Sequence, residues 1–470
     1  MNFVSAEFAL FLAVTYGVYW LLPKGGRKLL LLAASYLFYA AWDWRFCGLM
    51  GFVSGNAYLA GRALATRQGP ARARILWLSI GTDLAVLGWF KYAGFLAGGA
   101  VSALTALGFD FSMPLPAILL PVGISFYTFH AISYVIDVHR GKVPASRRPL
   151  NVALYIAFFP QLVAGPIVRA GFFMPQLGRV PPFSRIGQAQ GLRLILKGLI
   201  YKALIADTLA RLADPVFAEI GRYSDHALAT ATIAFYGQIY FDFAGYSALA
   251  IGTARLFGYR IPKNFDYPYS SLSVTEFWRR WHMSLSFWLR DYVYIPLGGN
   301  RGPAWKFYRN LMATMILGGL WHGASWNFVL WGALHGLGLC LHKLWLGLRP
   351  RLALGIDWDG WLWRGIALLT TQLWILVGWV FFRCTSFADA VEVLKALVGL
   401  RHGTGITPQD AETWILLLIA ADHLLGRFPP RPILAPAATR SIFWVGLGAL
   451  AALVLTSLPL VQKPFLYFQF

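Results

Sequence analysis

Three histidines stand inside apolar sequence in the second half of the chain. His282 ends the run Ser271-Leu-Ser273-Val-Thr-Glu276-Phe-Trp-Arg-Arg-Trp-His282, His322 lies in Trp321-His322-Gly323-Ala324, and His335 lies in Trp331-Gly-Ala-Leu-His335-Gly. An imidazole placed in a membrane segment for packing alone needs a partner, so His322 and, in the second Trp-containing stretch, His335 are candidates for function, while His282 closes a Trp- and Arg-rich amphipathic run. With an ordinary pKa of about 6.5, imidazole is suited to take a proton from a hydroxyl or a thiol at neutral pH. His322 has the further feature of Gly318, Gly319 and Gly323 around it, which permit close approach of backbone or substrate. The competing reading is a buried histidine satisfied by a neighbour.

The block from Ser270 to Arg309 differs in composition from its surroundings. Ser273 and Glu276 have capping-box spacing, and Phe277, Trp281, Leu285, Trp288 and Leu289 recur at helical intervals. Glu276, Arg279, Arg280 and Arg290 form much of the other face, which predicts an amphipathic helix lying in a membrane interface. The loop that follows, Arg290-Asp291-Tyr-Val-Tyr-Ile-Pro-Leu-Gly-Gly-Asn300-Arg301, is rich in donors that a surface anchor does not need.

The elements that must position these groups are membrane spans. The chain has 470 residues, 58% of them apolar and only 13% charged, with a mean hydropathy of +0.56. Apolar runs of roughly 16 to 22 residues recur from end to end, the pattern of repeated bilayer crossing. The net charge of +21 sits in short loops between those runs, where it sets topology rather than binding nucleic acid. Cys47, Cys340 and Cys384 are too few and too scattered for a disulfide framework or a zinc site.

Phe3 to Leu22 has no basic stretch before it and no small-residue cleavage site after it, so it reads as a retained span. Lys24, Arg27 and Lys28 place the next loop in the cytoplasm and Met1 outside. Leu29 to Trp42 and Phe46 to Leu59 form a membrane hairpin, and further runs near 75 to 90 and 116 to 136 lead to a basic cluster at His139, Arg140, Lys142, Arg147 and Arg148. From 150 to 168, Pro160, Gly165 and Pro166 interrupt an apolar stretch. Non-helical chain at that depth must be buried in protein, so a re-entrant segment is expected. The stretches 228 to 257 and 311 to 342 are longer than one crossing and carry polar groups that should face an interior cavity. Arg427, Arg431 and Arg440 precede the apolar run Ser441 to Val461, which puts the last residues on the outer face. No linker or internal repeat divides the chain. It reads as one polytopic domain, 1–470, containing a cytoplasmic-side segment at 270–310 and an extracytoplasmic tail at 462–470.

The stretch "VTEFWRRWHMSLSFWLRDYVYIPLGGNR" with the following "LGGLWHGA" resembles the bacterial membrane-bound O-acyltransferase family, most closely its alginate O-acetyltransferase branch. "LLPVGISFYTFHAISYVIDVHRG", "FFPQLVAGPIVR" and "YFDFAGYSALAIG" extend the resemblance over most of the chain. It implies an all-α polytopic fold of roughly ten transmembrane helices, with re-entrant and interfacial helices around a central cavity. There an activated acyl group entering from the cytoplasm meets an acceptor hydroxyl. The family's membrane histidine falls on His322 and its second histidine on His282. Arg279, Arg280, Arg290, Asn300 and Arg301 are the candidates for holding the donor, expected to be acetyl coenzyme A, with no permanently bound cofactor and no metal. Ala248 stands where related chains often read Asp, so a polar network using that Asp must be built differently here.

The ending Phe465-Leu-Tyr467-Phe-Gln-Phe470 is read in two ways. It suits an aromatic belt at the outer interface. It also resembles the acyl-accepting tail of D-alanylation systems, which makes Tyr467 a candidate relay whose phenol ester passes the acyl group to an extracytoplasmic partner enzyme of the acetyltransferase or SGNH-hydrolase type. A phenol with a pKa of about 10 is a good enough leaving group for onward transfer to a sugar hydroxyl. The resulting expectation is acetyl transfer across the bacterial inner membrane for O-acetylation of an exported polysaccharide. Transfer of D-alanine or another acyl group to an envelope polymer, and a non-catalytic channel, are the alternatives.

Overall fold

The fold is taken from a computed structural model, which describes residues 1–109, 118–163, 165–351, 357–358, 360–401, 403, 405–406, 411–427, 445–446, 448–449, 452, 456 and 465–466. The run expected to be a span at 441–461 lies largely outside these residues, and Arg431, Arg440 and Tyr467 lie wholly outside them. In chain order the helices are α1 (Ala6–Leu21), α2 (Lys24–Asp43), α3 (Arg45–Thr66), α4 (Gly69–Ala106), α5 (Ile124–His139), α6 (Pro149–Ala157), α7 (Phe159–Leu162), α8 (Ala170–Arg179) and α9 (Arg185–Leu199). There follow α10 (Asp207–Ala218), α11 (Asp225–Leu256), α12 (Val274–Arg280), α13 (Met283–Leu289), α14 (Ala304–His322), α15 (Trp326–Leu348), α16 (Trp361–Arg383), α17 (Phe387–Leu397) and α18 (Glu412–Arg427). A short π-helix, Ile200–Ala206, joins α9 to α10. The described residues form no β-sheet, only one isolated bridge between Tyr223 and Ile406.

Among the described residues, α4, α15 and α16 are long and apolar enough to cross a bilayer, and α1 is a shorter apolar helix. In its most apolar window α4 is only 6% buried by protein. Trp77, Leu78, Trp89 and Leu96 on that helix are exposed, so a lipid environment has to cover them.

Contacts group the chain into two compact units, with α9 and α11 each contributing to both. The first comprises residues 1–197, 246–262 and 438–447. Here α2 and α3 form the expected hairpin, and α3 packs on α5 and α6. The proline-interrupted stretch is helix, break, helix and extended chain. Leu154 through Phe159, Gln161 and Leu162 have essentially no exposed surface. Its polar groups find partners inside the protein, as chain of this kind at membrane depth requires. The Phe159 amide donates to Ser35 Oγ (3.0 Å), and the Gln161 side-chain amide donates to the Tyr155 carbonyl (2.6 Å). The Val168 amide donates to His130 Nε2 (3.1 Å), and the Tyr155 hydroxyl to the Val168 carbonyl (2.8 Å). Gly123 adopts φ +76°, and a Cβ there would stand 2.5 Å from the Leu162 carbonyl oxygen, so glycine is needed for conformation and for space.

The second unit comprises residues 198–245, 263–437 and 448–470. The apolar stretch 311–342, longer than one crossing, is a hairpin of α14 and α15 broken at Gly323–Ser325. Ser325 enters α15 in an extended conformation, and a Cβ on Gly323 would collide with the Phe328 ring at 2.1 Å. The two helices meet at backbone distance. A Cβ on Gly319 would lie 2.1 Å from the Phe328 carbonyl oxygen, and one on Gly332 would lie 2.4 Å from that of Met315. Small residues at a helix crossing allow this approach.

One expectation is corrected here, that of the amphipathic helix. Ser273 Oγ accepts the Glu276 amide as the capping box requires (3.1 Å), while the Glu276 carboxylate takes the Leu272 amide (2.8 Å). The helix then stops: Trp281 is extended and His282 is left-handed, at φ 40° and ψ 52°. Asn264 pins the break, its carbonyl accepting the Met283 amide (2.9 Å) and its side-chain oxygen accepting from Ser284 Oγ (2.6 Å). Phe277, Trp281, Leu285, Trp288 and Leu289 are buried in protein rather than presented to lipid. Phe277 stacks on Trp281 with centroids 5.5 Å apart, and Trp281 packs on Trp379 at 4.9 Å. The periodicity marks an apolar face correctly but does not say what covers it.

Gly319→Ala should lower the stability of the detergent-solubilised protein by at least about 1–3 kcal/mol, the ordinary cost of overpacking. Gly347→Ala, where a Cβ meets nothing within 4 Å, should leave it unchanged or raise it. Thermal midpoints followed by tryptophan fluorescence distinguish the two; equal midpoints would contradict the close helix crossing.

Candidate active site

α14 delivers His322 at its last residue, where the helix gives way to the extended Gly323. The imidazole is 5% exposed and surrounded by rings. Those of Trp321 and Trp331 lie 4.9 Å away and Phe382 lies 5.2 Å away, centroid to centroid. His282 comes from the break between α12 and α13. Its ring is 6.4 Å from that of His322, 5.7 Å from Trp321 and 4.6 Å from Phe243. It is fully buried, and neither of its ring nitrogens has a hydrogen-bond partner among the described residues.

A non-glycine residue in the left-handed region costs on the order of 1–2 kcal/mol, and strain of this kind collects at functional sites. The fold therefore holds His282 in a costly conformation, next to His322, without satisfying its ring. A group able to use those nitrogens fits between the structural and chemical requirements.

His335 differs. It is fully buried on α15, its Nδ1 accepts the Trp278 indole N–H (3.3 Å), and its ring lies 4.6 Å from Trp331. One of its ring nitrogens is thus met by a neighbour, while Nε2 has no hydrogen-bond partner among the described residues.

The five donor-binding candidates separate into two groups. Arg279 and Arg280 line a pocket of about 670 Å³ together with Glu276, Asp266, His342 and Lys343. Arg280 is held there by Glu276 (2.8 Å), and His342 Nδ1 shares a hydrogen bond with Thr275 Oγ1 (2.8 Å). Arg279 is exposed and lines the same pocket. Arg290, Asn300 and Arg301 do not line that pocket. They are exposed, Arg290 pairs with Asp291 (2.6 Å), and the turn before Asn300 runs through Gly298 and Gly299 at positive φ. Among the described residues no group of three His, Cys, Asp or Glu is placed to hold a metal ion.

Sequence reasoning missed a buried charge cluster in the same unit. Lys202 Nζ lies 2.8 Å from Asp207 Oδ1 and 2.6 Å from Asp242 Oδ1, all three side chains nearly inaccessible. The apolar run 228 to 257 announces Asp242 as an interior polar group. Lys202 and Asp207 are five residues apart, a spacing that an α-helix would not bring to one point and that the π-helix does. Ala248 is itself buried, and Asp242 is the carboxylate that α11 buries.

A sequence profile of the membrane-bound O-acyltransferase family matches residues 144–373. A probable alginate O-acetylase of Azotobacter vinelandii is 43% identical over 391 residues, 83% of this chain and 76% of that protein. A peptidoglycan O-acetyltransferase of Helicobacter pylori is 34% identical over 79% of this chain and 74% of its own length. A teichoic acid D-alanyltransferase of Streptococcus thermophilus is 33% identical, over 48% of this chain and 57% of its own length. With histidines at 282 and 322 converging in an all-helical, lipid-covered chain and similarity of this extent, the protein belongs to the membrane-bound O-acyltransferase family.

Proposed function

We propose that the protein transfers an acetyl group from cytosolic acetyl coenzyme A across the bacterial inner membrane, for O-acetylation of an exported, alginate-like polysaccharide. The observation that carries this reading is His322, buried at the tip of a close-packed helical hairpin with His282 beside it. The degree of similarity favours acetyl over D-alanyl transfer: the O-acetylating relatives are 43% and 34% identical over 83% and 79% of this chain, the D-alanyltransferases 33% and 26% identical over 48% and 64% of it. The fold is proposed to be a single functional domain of roughly ten spans around a central cavity, with segment 270–310 on the cytoplasmic side and tail 462–470 outside.

The chemistry is acyl transfer by general base catalysis. His322 takes the proton of the acceptor hydroxyl as its oxygen attacks the thioester carbonyl. The tetrahedral intermediate collapses with breakage of the carbon–sulfur bond, and the thiolate leaves with a proton. His282, with its unsatisfied ring nitrogens, is suited to orient the acceptor or donate to the developing oxyanion. Arg279 and Arg280 supply positive charge to the donor's phosphates; Arg290, Asn300 and Arg301 lie on an exposed turn suited to later capture of the same donor. Tyr467 is proposed to be the acceptor hydroxyl. Its phenol ester then gives the acetyl group to an extracytoplasmic SGNH-hydrolase-like partner, which acetylates the polymer.

His322→Ala should reduce polymer acetylation in cells by about 10²-fold or more at normal protein level, the usual scale for a lost general base. Unchanged acetylation would remove the base. Tyr467→Phe keeps the aromatic ring and deletes only the hydroxyl, and should abolish polymer acetylation while leaving insertion in the membrane intact; full activity would make Tyr467 an interface anchor. Arg279→Ala should raise the KM for acetyl coenzyme A with little change in kcat, read in purified protein, because it removes binding that ground state and transition state share.

A further inference from the structure

The Lys202 cluster holds more negative than positive groups, and the surplus has a use. Lys202 already has Asp207 at 2.8 Å, so Asp242 is not needed to keep the ammonium paired. A buried ion pair is seldom the cheapest way to fill a core, which leaves the second carboxylate to be explained by something other than packing. While one oxygen of Asp242 meets Lys202, the other accepts the backbone N–H of Leu466 at 2.9 Å. Leu466 is 224 residues away in sequence and close to the C-terminus. Phe465 and Leu466 are buried in this unit, and the Phe465 ring lies 5.6 Å from Phe243. Phe243 in turn lies 4.6 Å from His282, whose ring is 6.4 Å from His322.

We infer that Asp242 is a positioning residue, docking the C-terminal tail through the Leu466 amide beside the His282–His322 pair, with Lys202 fixing the carboxylate that receives it. Recognition through a backbone amide is independent of side-chain identity. What it sets is register: a slip of one residue would present a different N–H and move every following side chain. Tyr467 is the residue after the docked amide. The positioning role rests on the reading of His322 as the base, but the docking does not.

The test is tail protection in full-length protein in detergent. Carboxypeptidase Y digestion, followed by intact mass, should stop before Leu466 in the wild type. Asp242→Leu should let digestion pass Phe465 at least about tenfold faster, on the scale of one lost hydrogen bond to a charged group. Asp242→Asn retains an oxygen for the amide and should protect the tail nearly as the wild type does. Leu466→Pro removes the donor and leaves the charge cluster whole. It should expose the tail as Asp242→Leu does, and serves if that variant fails to fold. A tail equally protected in Asp242→Leu or Leu466→Pro, or equally exposed in Asp242→Asn and Asp242→Leu, would overturn the docking. Polymer acetylation should fall with protection across the three variants; full acetylation with an exposed tail would overturn the positioning role. His322→Ala should keep the tail protected. An active His322→Ala with an exposed Asp242→Leu tail would therefore remove the base and leave the docking in place.

Discussion

A bilayer offers no water to a stranded polar group, and that constraint shapes each part of this molecule. Every backbone or side-chain dipole carried into the apolar interior has to be met by protein or put to use. In the first unit internal hydrogen bonds meet part of this demand. The broken chain around Pro160 hands its amides and side chains to Ser35, Tyr155 and His130, so an irregular segment is held without exposure. In the second unit the two buried rings differ in degree: His335 receives an indole N–H on one nitrogen, whereas neither nitrogen of His282 has a hydrogen-bond partner among the described residues.

The contrast separates histidines that serve the fold from those available for chemistry. His282 stands in a left-handed conformation next to chain that Asn264 holds on one side, and follows Trp281, which stacks on Phe277 and packs at a tilt on Trp379. His322 is presented by the end of a hairpin whose helices approach at backbone distance through Gly319 and Gly332. Close packing of this kind brings the two imidazoles together, with ring centroids 6.4 Å apart. The cost of the arrangement is spread over the aromatic core of the second unit.

Much of this is legible in the residues. The apolar runs give an all-helical membrane chain, Pro160 and Pro166 mark the irregular buried segment, and Ser273 with Glu276 marks a helix start at the right place. His322 is found by its placement within apolar sequence, and His282 by the family resemblance of the run that contains it. Periodicity is less informative where covering material matters. The face from Phe277 to Leu289 reads the same whether lipid or protein buries it, and the left-handed break at His282 carries no glycine or asparagine to announce it. The hairpin break at Gly323 is hidden by continuous hydropathy. Lys202 and Asp207 escape notice because only a π-helical turn brings them to a common point, and their contact with Asp242 depends on tertiary structure that no local pattern encodes.

Chemical replacement of the missing ring tests the role of His322 most directly. In purified His322→Gly protein, turnover of acetyl coenzyme A should be almost absent, and added imidazole should restore it in proportion to the concentration of its neutral form. Undiminished turnover by His322→Gly without imidazole would contradict the account.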